Sequence, residues 1–231
     1  MPAVKIVPGT GNELIAEVAP FEERLLSEVH DAAASAMTAA CKGRPIGWGS
    51  VRFSGQVSPG ASRPTMVVGY RQTFRCLNLD PARYPPAPAN WKATVTDEDI
   101  AVRVFRTFFD ARDAGALEKA FAMIEPASQG DRTQWRSSQQ LALTLLGGKG
   151  TRSVTGLRWF LDPPEAPFPG IFARVTFEGK FPGAAVYCGS MVLYRAGPDS
   201  YLLGGVRESI LPERDKPTAE RAAEFRNRFC E

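Results

Sequence analysis

The chain has 231 residues, 44% of them hydrophobic and 23% charged, and a formal net charge of +3. This length allows one large domain or two modest ones with buried cores, and the composition excludes wholesale disorder. The 28 basic residues are interspersed with 25 acidic ones. The sequence therefore lacks the concentrated Lys/Arg run of a nucleic-acid-binding surface, and we expect no nucleic-acid partner.

No stretch reaches the about 18 apolar residues that a transmembrane helix needs, so we expect no membrane span. Residues 1–9 carry Lys5 in their middle and show no long apolar core, so no secretory signal is visible. The residues Ala3-Val4-Lys5 would equally fit a chain whose leader has been removed. The N-terminal sequence leaves both alternatives open.

The first predicted elements are a short strand over residues 3–8 and a helix. The pattern becomes helical from Asn12, and Pro20 is expected to start or kink the main helix because it has no backbone N–H. Gly43 fits the left-handed residue that ends a helix near Lys42. The apolar stripe of this helix consists of Leu25, Leu26, Val29, Ala33, Ala36, Met37 and Ala40.

Two strands with a period of two follow the helix, and turn-forming residues 58–60 separate them, which predicts a β-hairpin. Cys76 lies on the face of the second strand that the helix would cover, and Cys41 lies in the last turn of that helix. We therefore predict a Cys41–Cys76 disulfide. In the first strand the residues that alternate with polar ones are Val51, Phe53 and Val57, and in the second the residues that share one face are Met66, Val68, Tyr70, Phe74 and Cys76.

Four prolines within residues 79–90 indicate a stiff, extended linker between two packed units. After it, Thr96 is expected to cap a helix while Asp99 reaches back to it. Gly115 ends that helix, and two further helices are predicted at about 116–124 and 131–146.

The period then changes to two, which predicts strands at 152–161, 170–180, 184–195 and 200–210. Their connections are short, so neighbouring strands are expected to pair antiparallel as a meander. Pro217 begins a C-terminal helix that would bring Cys230 towards Cys188 on the third strand. The predicted organisation is a helix-plus-hairpin unit (1–78), a linker (79–95), an α+β domain (96–212) and a C-terminal helix (213–231).

The four cysteines show no CxxC pair, and the chain has one histidine, His30, so we expect no metal site. Two disulfides are one interpretation, and it implies a periplasmic or exported protein. Four buried thiols in a cytoplasmic protein are the alternative. A lone helical histidine is most often structural, and it cannot form a catalytic triad by itself.

The order of three helices and four strands, together with several short motifs, resembles the uncharacterised bacterial family called domain of unknown function 4019. This family lies in the cystatin-like or nuclear-transport-factor-2-like superfamily, and the resemblance covers about residues 97–211. The residues that carry it are Phe109-Asp110-Ala111, Gly115, Trp135, Leu146-Gly147, Arg152-Ser153-Val154, Pro169-Gly170-Ile171-Phe172 and Val192-Leu193-Tyr194.

The resemblance implies an α+β fold in which helices pack on a curled four-stranded antiparallel cone. The family has no assigned activity, so no catalytic residue carries over. The chain departs from the expected pattern at Tyr187-Cys188-Gly189, where a polar or acidic residue is expected in mid-strand. A second departure is Leu203-Gly204-Gly205-Val206 in the last strand.

The concave face of such a cone often holds a pocket, and Arg174, Glu178 and Tyr187 are its candidate ligand-binding residues. Strand alternation, however, places Arg174 and Glu178 opposite the apolar set Ile171, Ala173, Val175 and Phe177. The apolar set is the natural core side, which favours an ordinary charged surface for the other face. The glycine-rich residues 147–151 follow a helix rather than a strand, so they do not form a phosphate-binding loop. Because the sequence shows no complete catalytic constellation, we expect no catalytic residue and no cofactor.

The preferred hypothesis is a non-enzymatic binding or interaction module of the cell envelope, whose partner is a protein or a small apolar ligand. The alternative is a lipophilic-ligand binding protein, or an isomerase- or cyclase-like enzyme, that uses the cone pocket. A third hypothesis is an envelope subunit that forms a homodimer through the open sheet face.

Overall fold

The computed structural model describes residues 3–9, 11–22, 25–57 and 64–230. Contacts divide the chain into two compact units, Met1–Leu79 and Asp80–Glu231. Each unit has its own buried hydrophobic cluster. None of the helices in the described ranges is long and apolar enough to cross a membrane.

The first unit is one helix on an antiparallel sheet. The strand Pro64–Cys76 is central and pairs with Leu14–Val18, Phe21–Glu22 and Ile46–Val57, while Val4–Pro8 pairs with Leu14–Val18. The predicted first strand and the predicted hairpin are confirmed, and the turn at 58–60 lies outside the described residues. The elements are β1 (Val4–Pro8), β2 (Leu14–Val18), β3 (Phe21–Glu22), α1 (Leu26–Cys41), β4 (Ile46–Val57) and β5 (Pro64–Cys76).

The helical prediction from Asn12 onward is wrong, because residues 14–18 and 21–22 are strands. Ala16 and Val18 alternate with the less buried Glu17, and the open edge of β5 supplies hydrogen-bonding partners for this segment. The helix begins only at Leu26. Its end is as predicted, since Lys42 adopts the left-handed conformation (φ 51°) directly after Cys41.

The helix packs its apolar stripe on the sheet, where Val29, Ala33 and Met37 are buried. Cys41 forms a disulfide with Cys76, which is the predicted pairing and links the end of α1 to β5. His30 is half-buried, and its Nδ1 lies 2.8 Å from the hydroxyl of the buried Tyr70. This contact gives the lone histidine a structural role.

The second unit is α+β, with a four-stranded antiparallel meander whose strands lie in chain order. The three predicted helices, the four predicted strands and the C-terminal helix are all present. They are α2 (Val95–Asp113), α3 (Leu117–Ala122), α4 (Arg132–Leu146), β6 (Thr151–Leu161), β7 (Ile171–Phe181), β8 (Ala184–Gly197), β9 (Ser200–Pro212) and α5 (Ala219–Phe229).

The cap of α2 lies two residues before the predicted one. Thr94 rather than Thr96 caps the helix: its hydroxyl accepts from the backbone N–H of Asp97 (3.2 Å), and Asp97 Oδ2 accepts from the backbone N–H of Thr94 (3.0 Å). The pairs 94/97 and 96/99 have the same spacing, so the sequence pattern fits both. Tertiary contacts of Asp97 with Tyr201 favour the first pair.

The core of the second unit lies between α2 and one face of the sheet, which we call the core face. Phe177 is central to it, and its ring centroid lies 5.3 Å from that of Phe105 and 5.1 Å from that of Phe109. Nine side chains of this layer are each at most 2% exposed: Phe105, Phe108, Phe109, Ala173, Val175, Phe177, Tyr187, Met191 and Leu193. Side chains therefore fill the space that a ligand pocket would need.

Candidate functional site

The three pocket candidates do not lie together. Arg174 and Glu178 point to the sheet face opposite Phe177, which we call the outer face, where Arg174 is half-buried and Glu178 is exposed. Tyr187 points to the core face and is 2% exposed, with its ring against Phe177 and Phe181. The sheet thus separates the two charged residues from the tyrosine.

The Tyr187 hydroxyl belongs to a buried polar cluster that the sequence patterns did not indicate. It donates to the Glu208 carboxylate and accepts from Arg152 Nε (2.8 Å), while Arg112 Nη1 donates to Glu208 Oε2 (2.6 Å). Burial and the Glu208 charge raise the pKa of Tyr187 above its usual range, so the phenol stays protonated. Asp113 pairs with both arginines, so the two cations face two carboxylates.

This arrangement is that of a structural cluster, because each charge already has a partner of opposite sign. The Arg112 side chain is fully buried, and its guanidinium lies 4.6 Å from the Phe109 ring centroid. Among the described residues, no group of three or more His, Cys, Asp or Glu side chains could hold a metal ion.

Asp97 forms a second buried network at the start of α2. Its Oδ1 accepts from the Tyr201 hydroxyl (2.7 Å) and from Arg195 Nε (3.2 Å), and its Oδ2 accepts from the Thr94 hydroxyl (2.7 Å). Burial by itself would raise the pKa of this carboxyl. The hydrogen bonds from Tyr201, Thr94 and Arg195 outweigh burial and lower the pKa of Asp97 from 3.8 to about 2.

This lowered pKa predicts that Asp97 stabilises the fold at neutral pH. Because the folded pKa lies below the unfolded one, the stabilisation is complete above about pH 4 and is lost as pH falls towards 2, and its size is about 2 kcal/mol. Replacing Asp97 by Asn should lower the free energy of unfolding at pH 7 by at least about this amount, with a difference from the wild type that shrinks below pH 4.

The measurement is urea unfolding at pH 7, 4 and 2.5, and Asp99→Asn is the matched control. Asp99 is exposed in the same first helical turn, so its replacement should cost less than about 1 kcal/mol. An Asp97→Asn variant as stable as the wild type at pH 7, or a difference that does not change with pH, would contradict the prediction.

One end of the outer face is covered by the proline-rich segment before α2. Tyr84 is buried there, with its ring 4.3 Å from that of Phe168, and Phe168 lies 4.9 Å from Tyr194 of β8. Asp162 holds this segment in place, since its carboxylate accepts from the backbone N–H groups of Ala87 (3.0 Å) and Gly170 (2.7 Å). The aromatic cover buries Phe172 and Tyr194 at this end of the face.

The opposite end of the outer face lies under α5. Cys188 of β8 is fully buried there and forms a disulfide with Cys230, which is the second predicted pairing. Beside the helix is a groove of about 460 Å³. The polar residues that line it include Thr151, Ser153, Thr155, Glu178, Lys180 and Arg226.

Between these two covers runs a basic band across all four strands, which we call the arginine strip. Arg158 of β6 pairs with Arg174 of β7, and Arg207 of β9 pairs with Ser190 of β8. The strip consists of Arg158, Arg174, Thr176, Ser190, Val192 and Arg207. It contains no carboxylate, and Glu178 lies one row further towards α5.

Two irregularities in the sheet create this strip. The register shifts between Val154 and Gly156 in β6, and again where β8 and β9 pair at Val192 and Leu193. Each shift adds one residue to a strand, and an added residue moves every later side chain to the other face. Arg158 and Arg207 both follow such a shift, and both are exposed on the outer face.

Comparison with known protein families, with curated proteins and with solved structures gives no match to this chain.

Proposed function

We propose that this protein is a non-enzymatic binding module that engages a protein partner through the outer face of its second sheet. The observation that carries the proposal is the contrast between the two sheet faces. Nine side chains, none more than 2% exposed, fill the core face, whereas the outer face presents hydroxyl and guanidinium groups to solvent. Capture of a ligand inside the unit would need a cavity where Phe105, Phe109 and Phe177 pack together.

We also propose that the second unit is a cystatin-like or nuclear-transport-factor-2-like cone of the domain of unknown function 4019 type. The succession of α2, α3, α4 and the four-stranded meander supports this proposal, since it is the order that the resemblance implies. The register shifts in β6 and β9 also support it, because added residues of this kind bend a sheet and increase its twist.

Export to the periplasm or the cell surface is the setting we propose for this module. The support is that all four cysteines are paired, Cys41 with Cys76 and Cys188 with Cys230, which leaves no free thiol. Disulfides persist in oxidising compartments and are rare where glutathione and thioredoxin keep thiols reduced.

Site-specific photo-crosslinking tests the binding face. A benzophenone amino acid at Ser190, in the middle of the outer face, should give a discrete crosslinked adduct in cells that produce the protein. The same probe at Arg103, which is exposed on α2, is the control and should give none. Adducts of equal yield from both positions, or from Arg103 alone, would refute the proposed face.

A second measurement tests the filled interior. The apolar dye N-phenyl-1-naphthylamine should show no saturable fluorescence increase with the folded protein, because buried side chains pack around Phe177. Saturable micromolar binding that a Met191→Trp substitution abolishes would support the alternative function in the cone. Met191 is fully buried on the core face, so an indole at this position would occupy any cavity there.

A further inference from the structure

We infer that the partner presents an acidic, extended protein segment, and that the arginine strip binds its carboxylates. This inference rests on the proposed function, and it adds the chemistry of the partner. The exposed guanidinium groups of Arg158 and Arg207 carry this inference, and among the described residues the strand positions in the rows of the strip include no carboxylate. The strip is therefore a local positive surface on a chain whose net charge is only +3.

Arginine suits carboxylates better than lysine does, because its planar fork donates two parallel hydrogen bonds to the two carboxylate oxygens. The strip carries Arg158, Arg174 and Arg207 and no lysine. Thr176 and Ser190 lie between the arginines as additional hydrogen-bonding groups. A partner segment with several carboxylates could bind the guanidinium groups, and its backbone polar groups could bind the hydroxyl groups.

The dimensions of the strip match a short extended segment. Arg158 and Arg207 lie on the two edge strands of the sheet, β6 and β9. Three inter-strand spacings of about 4.8 Å, or about 14 Å in total, separate these two strands. Four or five extended residues cover that distance. The aromatic cover around Tyr84 and the helix α5 bound the strip on its two sides, so the segment would run across the strands.

Apolar exposure next to the strip favours a protein over a polysaccharide or a lipid headgroup. Phe160 is 39% exposed, and it lies two residues after Arg158 on the same edge strand and on the same outer face. Exposed aromatic side chains beside arginines are the composition that distinguishes protein interfaces from other surfaces. The acidic segment should therefore carry an apolar residue near its carboxylates.

A second copy of this chain is a poor occupant of the strip. In a symmetric dimer through this face, each patch meets its own copy. The exposed Arg158 and Arg207 of one protomer would then meet those of the other, and such like-charge contacts oppose association. The charge of the strip thus favours a different, acidic partner over the homodimer.

The test measures binding of a fluorescent twelve-residue peptide of alternating glutamate and leucine to the full-length, oxidised protein by fluorescence anisotropy. The R158E/R174E/R207E variant should lose at least tenfold in affinity. The R103E/R106E/K119E variant has the same charge change on exposed positions of α2 and α3 and should lose less than threefold. The R158E/R207E variant keeps the half-buried Arg174 and guards against misfolding, and it should lose at least fivefold.

Parallel titrations distinguish the partner classes. Inorganic polyphosphate, heparin and phosphatidylglycerol vesicles should each bind at least tenfold more weakly than the peptide at 150 mM salt. Equal loss of peptide affinity in the control variant, or tighter binding of any of these three probes, would overturn the inference. If the Ser190 crosslink persists in the R158E/R174E/R207E variant, the proposed binding face is supported and the inference that the partner segment is acidic is wrong. If wild-type protein gives no Ser190 crosslink, the proposed function itself fails.

Discussion

Replacing Phe177 by alanine should lower the opening free energy of the second unit by about 3–5 kcal/mol, the range for a phenylalanine truncated in a closed core. Phe177 is 1% exposed, and three aromatic rings surround it, those of Phe105, Phe109 and Tyr187. Helix α2 carries Phe105 and Phe109 and strand β8 carries Tyr187, so these elements hold the rings in place and the surroundings cannot collapse into the space that the deleted ring leaves. The loss of stability therefore has two parts, the lost burial of the ring and the cost of the cavity that it leaves.

Hydrogen exchange of peptides from β7 and β8 measures this effect, because it reports on the second unit separately from the first. Phe160→Ala is the control, since Phe160 is a phenylalanine of the same sheet that is 39% exposed. Its replacement should cost less than about 1 kcal/mol, as is usual for an exposed position. Similar losses in both variants would mean that the core face is not the tightly packed layer described above.

Removing the Cys41–Cys76 disulfide should have the second largest effect. The bond joins residues separated by 35 positions, and both belong to the core of the first unit, where Cys41 is fully buried. Constraint of the unfolded chain by a loop of this length contributes about 4 kcal/mol in the chain-entropy model. The C41A/C76A variant should therefore show exchange of α1 and β5 amides that is faster by two to three orders of magnitude.

The C188A/C230A variant is an instructive comparison, because its disulfide spans a similar separation of 42 residues but anchors a different kind of element. Helix α5 has no buried residue, and an isolated helix of 11 residues is marginal in water. We expect local loss of protection in α5 with little change in β7. The opposite pattern, with α5 still protected and β7 exchanging faster, would show that the helix docks without its disulfide.

The same comparison bears on the binding face. Cys188 lies on the outer face next to the row of Thr176 and Ser190, so α5 borders the arginine strip. Without the Cys188–Cys230 disulfide, α5 would cover less of the outer face around Ser153 and Glu178. The acidic peptide should accordingly bind the C188A/C230A variant at least as well as the wild type, and a large loss of affinity would show that α5 is part of the binding surface.

The sequence by itself determined the succession of elements in the second unit. Residues 96–146 follow a helical period and residues 152–210 a period of two, and glycine and proline turns separate the segments, so local patterns were sufficient. The cysteine positions also predicted both disulfides, because the ends of α1 and α5 brought each thiol near the strand that carries its partner. In the first unit, residues 14–22 were assigned wrongly because their pairing partner, β5, lies about 50 residues further along the chain.

Only the tertiary structure decided which residues form sites. Simple alternation from the inward Val154 would place Arg158 on the core side, and alternation from Leu203 would do the same for Arg207. The added residues in β6 and β9 turn both outward, and no local pattern marks a register shift in advance. The buried ion pair of Arg112 with Glu208, which are 96 positions apart, could not be predicted from local sequence patterns either. A period in the sequence fixes the kind of element, but the register between strands fixes which side chains meet.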